Sequence, residues 1–205
     1  MEAAGWTMHA RQASEAQHLF HAMKTISTHI YSFNELSEQA QAKALDSLRA
    51  NVGTDYLGEE MLSSLKAVCE ACNLRLVDWR FGIYCQNWKV KLDSYNPAVL
   101  LSGPRALAWF LRVLINHGYA RSKHFKDMQF PGVCGFTGVC YDDNVVETVW
   151  KELLDGETVA RAFDQVAKTF CDLWESEDDY AHSDECILDY LDKDEEQFTE
   201  SGELA

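Results

Sequence analysis

The cysteines are the side chains with the most obvious chemistry, and their spacing suggests a metal site in one place. The chain has seven of them: Cys69, Cys72, Cys85, Cys134, Cys140, Cys171 and Cys186. Cys69 and Cys72, in "CEAC", have the spacing of half a zinc site, but such a site usually needs two pairs and no second pair is present. His182 and Cys186, four residues apart, could complete a composite site. Free cysteine is among the most buried residue types, so the pattern favours two core cysteines, and we predict no metal site.

A cysteine nucleophile would need a histidine base, and the sequence does not identify one. No local signature connects any thiol to His117 or His124. His117 precedes Gly118 at the predicted end of a helix, where a histidine commonly serves as a favourable end charge. The glycines of "GVCGFTG" lack the lysine and the helix start that phosphate-binding loops require. We therefore predict no catalytic residues, no cofactor and a non-enzymatic protein, with a small cysteine-dependent enzyme as an alternative.

The acidic residues are concentrated at one end of the chain. The formal net charge of the 205 residues is −15. From Asp172 onward there are 14 acids and one lysine, a net charge of −13, whereas the preceding 171 residues have 19 acids and 17 bases, a net charge of −2. This distribution disfavours direct binding to a nucleic acid or an anionic membrane, and it favours a basic protein as the partner.

The C-terminal acids are the candidate partner-binding residues, and two interpretations of them remain open. They form either a solvated face that keeps the protein soluble or a docking surface. In the second case, acids along a helix imitate a row of phosphates and occupy the basic groove of a nucleic-acid-binding protein, in a contact that salt weakens. The residues assigned to this surface are Glu175, Glu177, Asp178, Asp179, Asp184, Glu185, Asp189, Asp192, Asp194, Glu195 and Glu196.

The same segment has the apolar spacing of a folded structure, which a purely solvated tail would lack. Ser183 is a good N-cap for a short helix that has Ile187 and Leu191 on one face. Phe198 and a Ser201–Gly202 turn then indicate a small extended segment. We predict that these elements are folded onto the domain, so that the acids are fixed on a surface.

Most of the remaining chain has apolar residues at helical spacing, but in "LRLVDWRFGIYCQNWKVKLD" the hydrophobic period changes to two. The alternating residues are Val77, Trp79, Phe81, Ile83, Trp88, Val90 and Leu92. This period predicts an antiparallel pair of strands that turns near Gln86 and Asn87. The segment "VCGFTGVCY" predicts a further strand. The apolar stripes place Trp79, Trp88, Trp109 and Trp150 in the core, in preference to a stacking platform for bases.

These patterns predict an α+β fold, a mostly helical single domain with a small antiparallel sheet of about three strands. Residues 1–22 are a weakly patterned N-terminal extension, 23–171 form the α+β core, and 172–205 form an acidic C-terminal helix and turn packed on that core. The helix after Ser37 is the first of the core. The chain contains no secretory signal and no run of about 18 apolar residues, so we expect a cytoplasmic protein with reduced thiols.

Four stretches together resemble a loose group of small proteins from phages, prophages and other mobile elements. They are "YSFNELSEQAQAKALDSLR", "VDWRFGIYCQNWKVKLD", "FTGVCYDD" and "HSDECILDYLDKDEEQFTESGEL". The resemblance extends from about Ile30 to Leu204, and Met23 is similar to the usual start of these proteins. The hairpin departs from the group because it has Gln86 and Asn87 in place of a glycine-rich turn.

The resemblance implies an accessory protein of a mobile element and carries over no activity and no site residues. Small phage accessory proteins often neutralise host defences, and acidic ones can act as nucleic-acid mimics. The function we expect is inhibition of a host nucleic-acid-handling defence complex, a CRISPR effector or a restriction enzyme, through protein–protein binding by the acidic face. An antitoxin-like or regulatory partner that masks a basic protein is the alternative that uses the same acids.

Overall fold

The computed structural model describes residues 29–118, 135–138, 141–193 and 196–205. These residues form two compact units, one of residues 29–44 with 196–205 and the other of residues 45–193. The predictions for residues 1–22, His124, Cys134, Cys140, Asp194 and Glu195 concern residues outside the described ranges.

The described residues are mostly helical, which confirms the predicted α+β class. The helices are α1 (Glu38–Asn51), α2 (Asp55–Ala71), α3 (Gly103–Asn116), α4 (Asp142–Leu154), α5 (Val159–Ala181) and α6 (Asp184–Lys193), and the strands are β1 (Leu76–Arg80) and β2 (Lys89–Leu92). Two short 3-10 helices are at Phe33–Glu35 and Pro97–Leu100.

Side chains at the helix starts satisfy backbone N–H groups that have no partner within a helix. Ser37 Oγ accepts a hydrogen bond from the Ala40 N–H at 3.3 Å, and Ser183 Oγ accepts one from the Cys186 N–H at 3.2 Å. Both serines therefore act as the predicted N-caps. Thr158 has the same role at the start of α5.

The smaller unit is centred on Phe198, which is fully buried. Phe198 and Tyr31 exchange two backbone hydrogen bonds, of 2.8 and 2.9 Å, and Phe198 also forms a β-bridge with Leu204. The Phe33 ring lies edge-on to the Phe198 ring, with 6.2 Å between the centroids. The predicted extended segment around Phe198 is thus present, and Gly202 lies in the turn that follows it.

The core of the larger unit lies between α2, α3, α4, α5 and β2. The apolar stripe of α5 is fully buried at all four positions: Val159, Phe163, Val166 and Phe170. Burying side chains of this size stabilises the fold by about 1.5–3 kcal/mol each. Val90 and Leu92 of β2 complete the core from the sheet.

An antiparallel hairpin forms as predicted, but its strands are shorter than the alternating segment, because Phe81, Ile83 and Trp88 lie in the connection between them. In β1 only Leu76 is partly buried. The strands are antiparallel and the register shifts between Leu76 and Asp78, so that Val77 is an extra residue on β1. Val77 and Trp79 are 46% and 42% exposed, and the prediction that Trp79 belongs to the core was wrong. The reason is that β2, and not β1, packs on α5. The Trp79 ring instead lies under the Lys66 ammonium, with Nζ 5.2 Å from the ring centroid.

The sheet of the described residues has two strands instead of about three. In the segment predicted as a further strand, residues 135–137 form a turn. The buried Asp142 carboxylate holds this turn by accepting hydrogen bonds from the N–H groups of Phe136 and Thr137, at 2.8 and 2.7 Å, and from Thr137 Oγ1 at 2.8 Å. The Asp142 carboxylate thus accepts the hydrogen bonds that these N–H groups would have donated to a neighbouring strand.

Candidate functional site

Cys69 and Cys72 are core residues, as their place on the α2 stripe predicts. Both are buried, and burial raises the pKa of the Cys69 thiol to about 12. Burial and the nearby Cys69 also raise the pKa of Cys72. A thiol that keeps its proton at neutral pH is a poor nucleophile and a poor metal ligand. The described ranges contain no group of three or more His, Cys, Asp and Glu side chains that could hold a metal ion.

The predicted acidic residues of α5 do not act alike, because two of them accept hydrogen bonds from other elements of the protein. Asp178 has a side chain that is only 16% exposed, and its Oδ1 accepts a hydrogen bond from Thr54 Oγ1 at 2.6 Å. Thr54 is buried and also accepts a 3.4 Å hydrogen bond from Trp174 Nε1. Glu175 Oε1 accepts a 3.0 Å hydrogen bond from the Tyr84 N–H. Asp178 therefore positions the start of α2, and Glu175 positions the hairpin loop.

Asp184 likewise holds the start of α6 in place. It forms an ion pair with Arg49 Nη2, while Arg49 Nε donates a 3.1 Å hydrogen bond to the His182 carbonyl and Arg49 Nη1 contacts Asp46 Oδ1 at 2.7 Å. Ile187, which is 3% exposed, anchors the inner face of the helix. One arginine thus fixes the turn between α5 and α6, and the orientation of α6 follows from it.

The outer face of α6 carries a row of three acids, which we call the α6 acidic row: Glu185, Asp189 and Asp192. All three are exposed and lie at positions i, i+4 and i+7, so they share the face opposite Ile187. Their Cα atoms are spaced by about 6 Å and about 4.5 Å along the helix axis, compared with about 3.4 Å of axial rise between the phosphates of one DNA strand. Asp189 contacts Lys193 Nζ at 2.5 Å, and the other two acids have no ion pair among the described residues.

The remaining predicted acids are two exposed residues of α5 and the three residues at positions 194–196. Glu177 and Asp179 near the end of α5 are exposed and form no ion pair within the described ranges. Glu196 lies in the smaller unit, and Asp194 and Glu195 lie outside the described residues. Of the predicted acids that the structure describes, the α6 acidic row, Glu177, Asp179 and Asp184 are exposed, and Asp184 and Asp189 also form ion pairs.

The larger unit also has a groove lined by basic residues, which the sequence patterns did not indicate. Its cations are Arg80, Lys89, Lys91 and Arg161, which come from β1, β2 and the first turn of α5. The alternation of Lys89 and Lys91 with apolar residues is visible in "NWKVKLD". Arg161 is distant in the sequence, and only the packing of β2 on α5 brings it to the lysines.

Comparisons with protein-family models, with curated proteins and with solved structures gave no match to this chain. Among the described residues, no helix combines the length and the apolar character needed to cross a membrane.

Proposed function

We propose that this chain is a non-enzymatic accessory protein of a phage or mobile element that inhibits a host nucleic-acid-handling defence complex, such as a CRISPR effector or a restriction enzyme. It acts by placing its acidic face on the basic, nucleic-acid-binding surface of that complex. The observation that carries the proposal is the α6 acidic row, a line of exposed carboxylates on a helix fixed at its start by Arg49.

The fixed geometry matters because it lowers the entropic cost of binding. Carboxylates on a flexible tail must be ordered when they bind, whereas those on a packed helix are already aligned. Opposite charges across an interface accelerate encounter and select the partner, and both effects decrease as salt screens them. The row is less densely charged than a DNA strand, so Glu177 and Asp179 belong to the same proposed face.

Three of the predicted acids have partners within the chain and are given a different role in this proposal. Glu175, Asp178 and Asp184 position the hairpin loop and the helix starts. The proposed contact is made by the α6 acidic row with Glu177 and Asp179. Substitution of Glu175, Asp178 or Asp184 weakens binding only by disturbing the structure. Substitution in the α6 acidic row weakens binding without disturbing the structure.

Charge reversal with a matched control tests the proposal. The test variant is Glu185→Lys, Asp189→Lys and Asp192→Lys together, and the control is Glu59→Lys, Glu70→Lys and Glu147→Lys together. The control acids are exposed on α2 and α4 and form no ion pair among the described residues, so both triple variants change the net charge equally. Tagged proteins are incubated with nuclease-treated host lysate, eluted in steps of rising salt, and the bound proteins are identified by mass spectrometry and purified.

With the purified partner, the parent chain and the control should bind alike, and the test variant should bind about a hundredfold more weakly. A duplex DNA added to the parent complex should compete with the chain for the partner. Equal affinity of the test variant and the parent, with both folded, would overturn the assignment of the contact face. Capture of a basic toxin or repressor in place of a defence complex would support the antitoxin-like alternative.

A further inference from the structure

The basic groove is an open depression of about 740 Å³ between β2 and the first turn of α5. This volume falls within the ~300–1,000 Å³ of small-molecule sites. The lining includes the half-buried Trp88 and two strand residues, Val90 and Leu92, that also belong to the core. The groove is therefore large enough for a small ligand, with an apolar wall and a charged rim.

The charge of the groove is opposite to that of the chain. Its lining has four cations and one acid, Asp164, a net charge of +3, whereas the whole chain has a net charge of −15. Cations that converge on a concave surface concentrate field lines and attract anions. The lining therefore selects a negatively charged ligand in spite of the acidic composition of the protein.

The acid in the groove, Asp164, already has two partners within the protein. Asp164 Oδ1 accepts a 3.0 Å hydrogen bond from the Val90 N–H, and its Oδ2 contacts Arg161 Nη1 at 2.8 Å. Since guanidinium has five N–H donors, Arg161 retains donors for a ligand. Asp164 thus acts mainly as a link between β2 and α5 and as an orienting partner for Arg161.

The other cations are available to different degrees. Lys89 Nζ contacts Asp78 Oδ2 at 2.6 Å and keeps two further donors. Lys91 and Arg80 are exposed and form no ion pair with any described residue. A ligand with several anionic oxygens could therefore meet up to four cationic groups, three from the strands and Arg161 from α5.

We propose that this groove is a nucleotide-binding site, in which the cations bind the phosphates and the Trp88 indole packs against the base. A flat, half-buried aromatic wall beside a cationic rim matches a ligand that is planar at one end and anionic at the other. The site is separate from the α6 acidic row and does not depend on the proposed inhibition.

The test is isothermal titration calorimetry of the full chain with ATP, without divalent metal, and with inorganic tripolyphosphate. The variant Arg80→Glu with Lys91→Glu reverses the two unpaired cations. Its control is Arg105→Glu with Arg112→Glu, two exposed arginines of α3 outside the groove lining. We expect saturable binding of ATP that the groove variant weakens by about tenfold or more and the control leaves unchanged.

Substitution of the aromatic wall tests the second half of the proposal. Trp88→Leu should weaken ATP binding and leave tripolyphosphate binding unchanged, and Trp88→Phe should retain most of the ATP affinity. Matching unfolding midpoints of the variants verify that each is folded. Failure of ATP to bind at millimolar concentration, or equal affinity of the groove variant and its control, would overturn the site. Tripolyphosphate binding as tightly as ATP, or single-stranded DNA binding far more tightly, would overturn the assignment to a nucleotide.

Discussion

Replacing Gly202 by alanine should destabilise the smaller unit through two separable effects, of which the first is conformational. Gly202 has φ = +81°, a region that costs an L-residue about 1–2 kcal/mol. Gly156, after α4, has φ = +91° and open space around its Cα, so Gly156→Ala carries the conformational cost alone. The two substitutions together therefore separate backbone strain from crowding.

The second effect is crowding against the backbone of α1. A Cβ at Gly202 would lie 2.2 Å from the Ala40 carbonyl oxygen and 2.9 Å from its carbon, and these backbone atoms cannot move away cheaply. Overpacking of this kind costs about 1–3 kcal/mol. The total for Gly202→Ala is then about 2–5 kcal/mol, compared with about 1–2 kcal/mol for Gly156→Ala.

Hydrogen exchange measured by mass spectrometry is the appropriate assay because it reports local opening. In Gly202→Ala, peptides that contain the Tyr31 and Phe198 amides should lose protection, with about tenfold faster exchange for each 1.4 kcal/mol. In Gly156→Ala, protection at the end of α4 should fall by the smaller, conformational amount. If Gly202→Ala loses no more protection than Gly156→Ala, the close approach to Ala40 does not contribute and the reasoning is refuted.

Two further predictions concern the larger unit. Asp178→Ala should lower the free energy of unfolding by about 1–3 kcal/mol, because it leaves the buried Thr54 hydroxyl without its acceptor. The control Asp179→Ala should change it by less than about 0.5 kcal/mol. Equal effects of the two substitutions in urea denaturation would contradict the separation of positioning and exposed acids. Burial raises the pKa of Cys69 from near 9 to about 12, so the unfolded chain loses this proton at a lower pH than the folded chain. The free energy of unfolding should therefore be constant below pH 9 in this respect and should fall above pH 9 by up to about 1.4 kcal/mol per pH unit for each buried thiol. Urea denaturation at a series of alkaline pH values should show this slope. Cys69→Ala with Cys72→Ala should reduce it and leave the part due to Cys171, a third buried thiol whose pKa burial raises. An unchanged slope in that double variant would contradict the burial of Cys69 and Cys72.

The sequence located the helices because local signals and the hydrophobic period agree there. The serine caps at residues 37 and 183 satisfy backbone donors from within their own turn, so no distant contact is needed to place them. The stripe from Val159 to Phe170 is buried because the period of 3.6 residues puts these side chains on one face of α5. The hairpin was predictable for the same reason, with a period of two.

What the sequence by itself determined was the class of the fold, the positions of most elements and the concentration of acids near the C-terminus. Only the tertiary structure decided which acids have partners within the protein, because these partners lie far along the chain, such as Thr54 for Asp178 and Arg49 for Asp184. It also placed Trp79 outside the core and joined Arg161 to the basic strand β2. Spacing along a helix or strand shows which residues share a face, but the packing of the elements decides what that face meets.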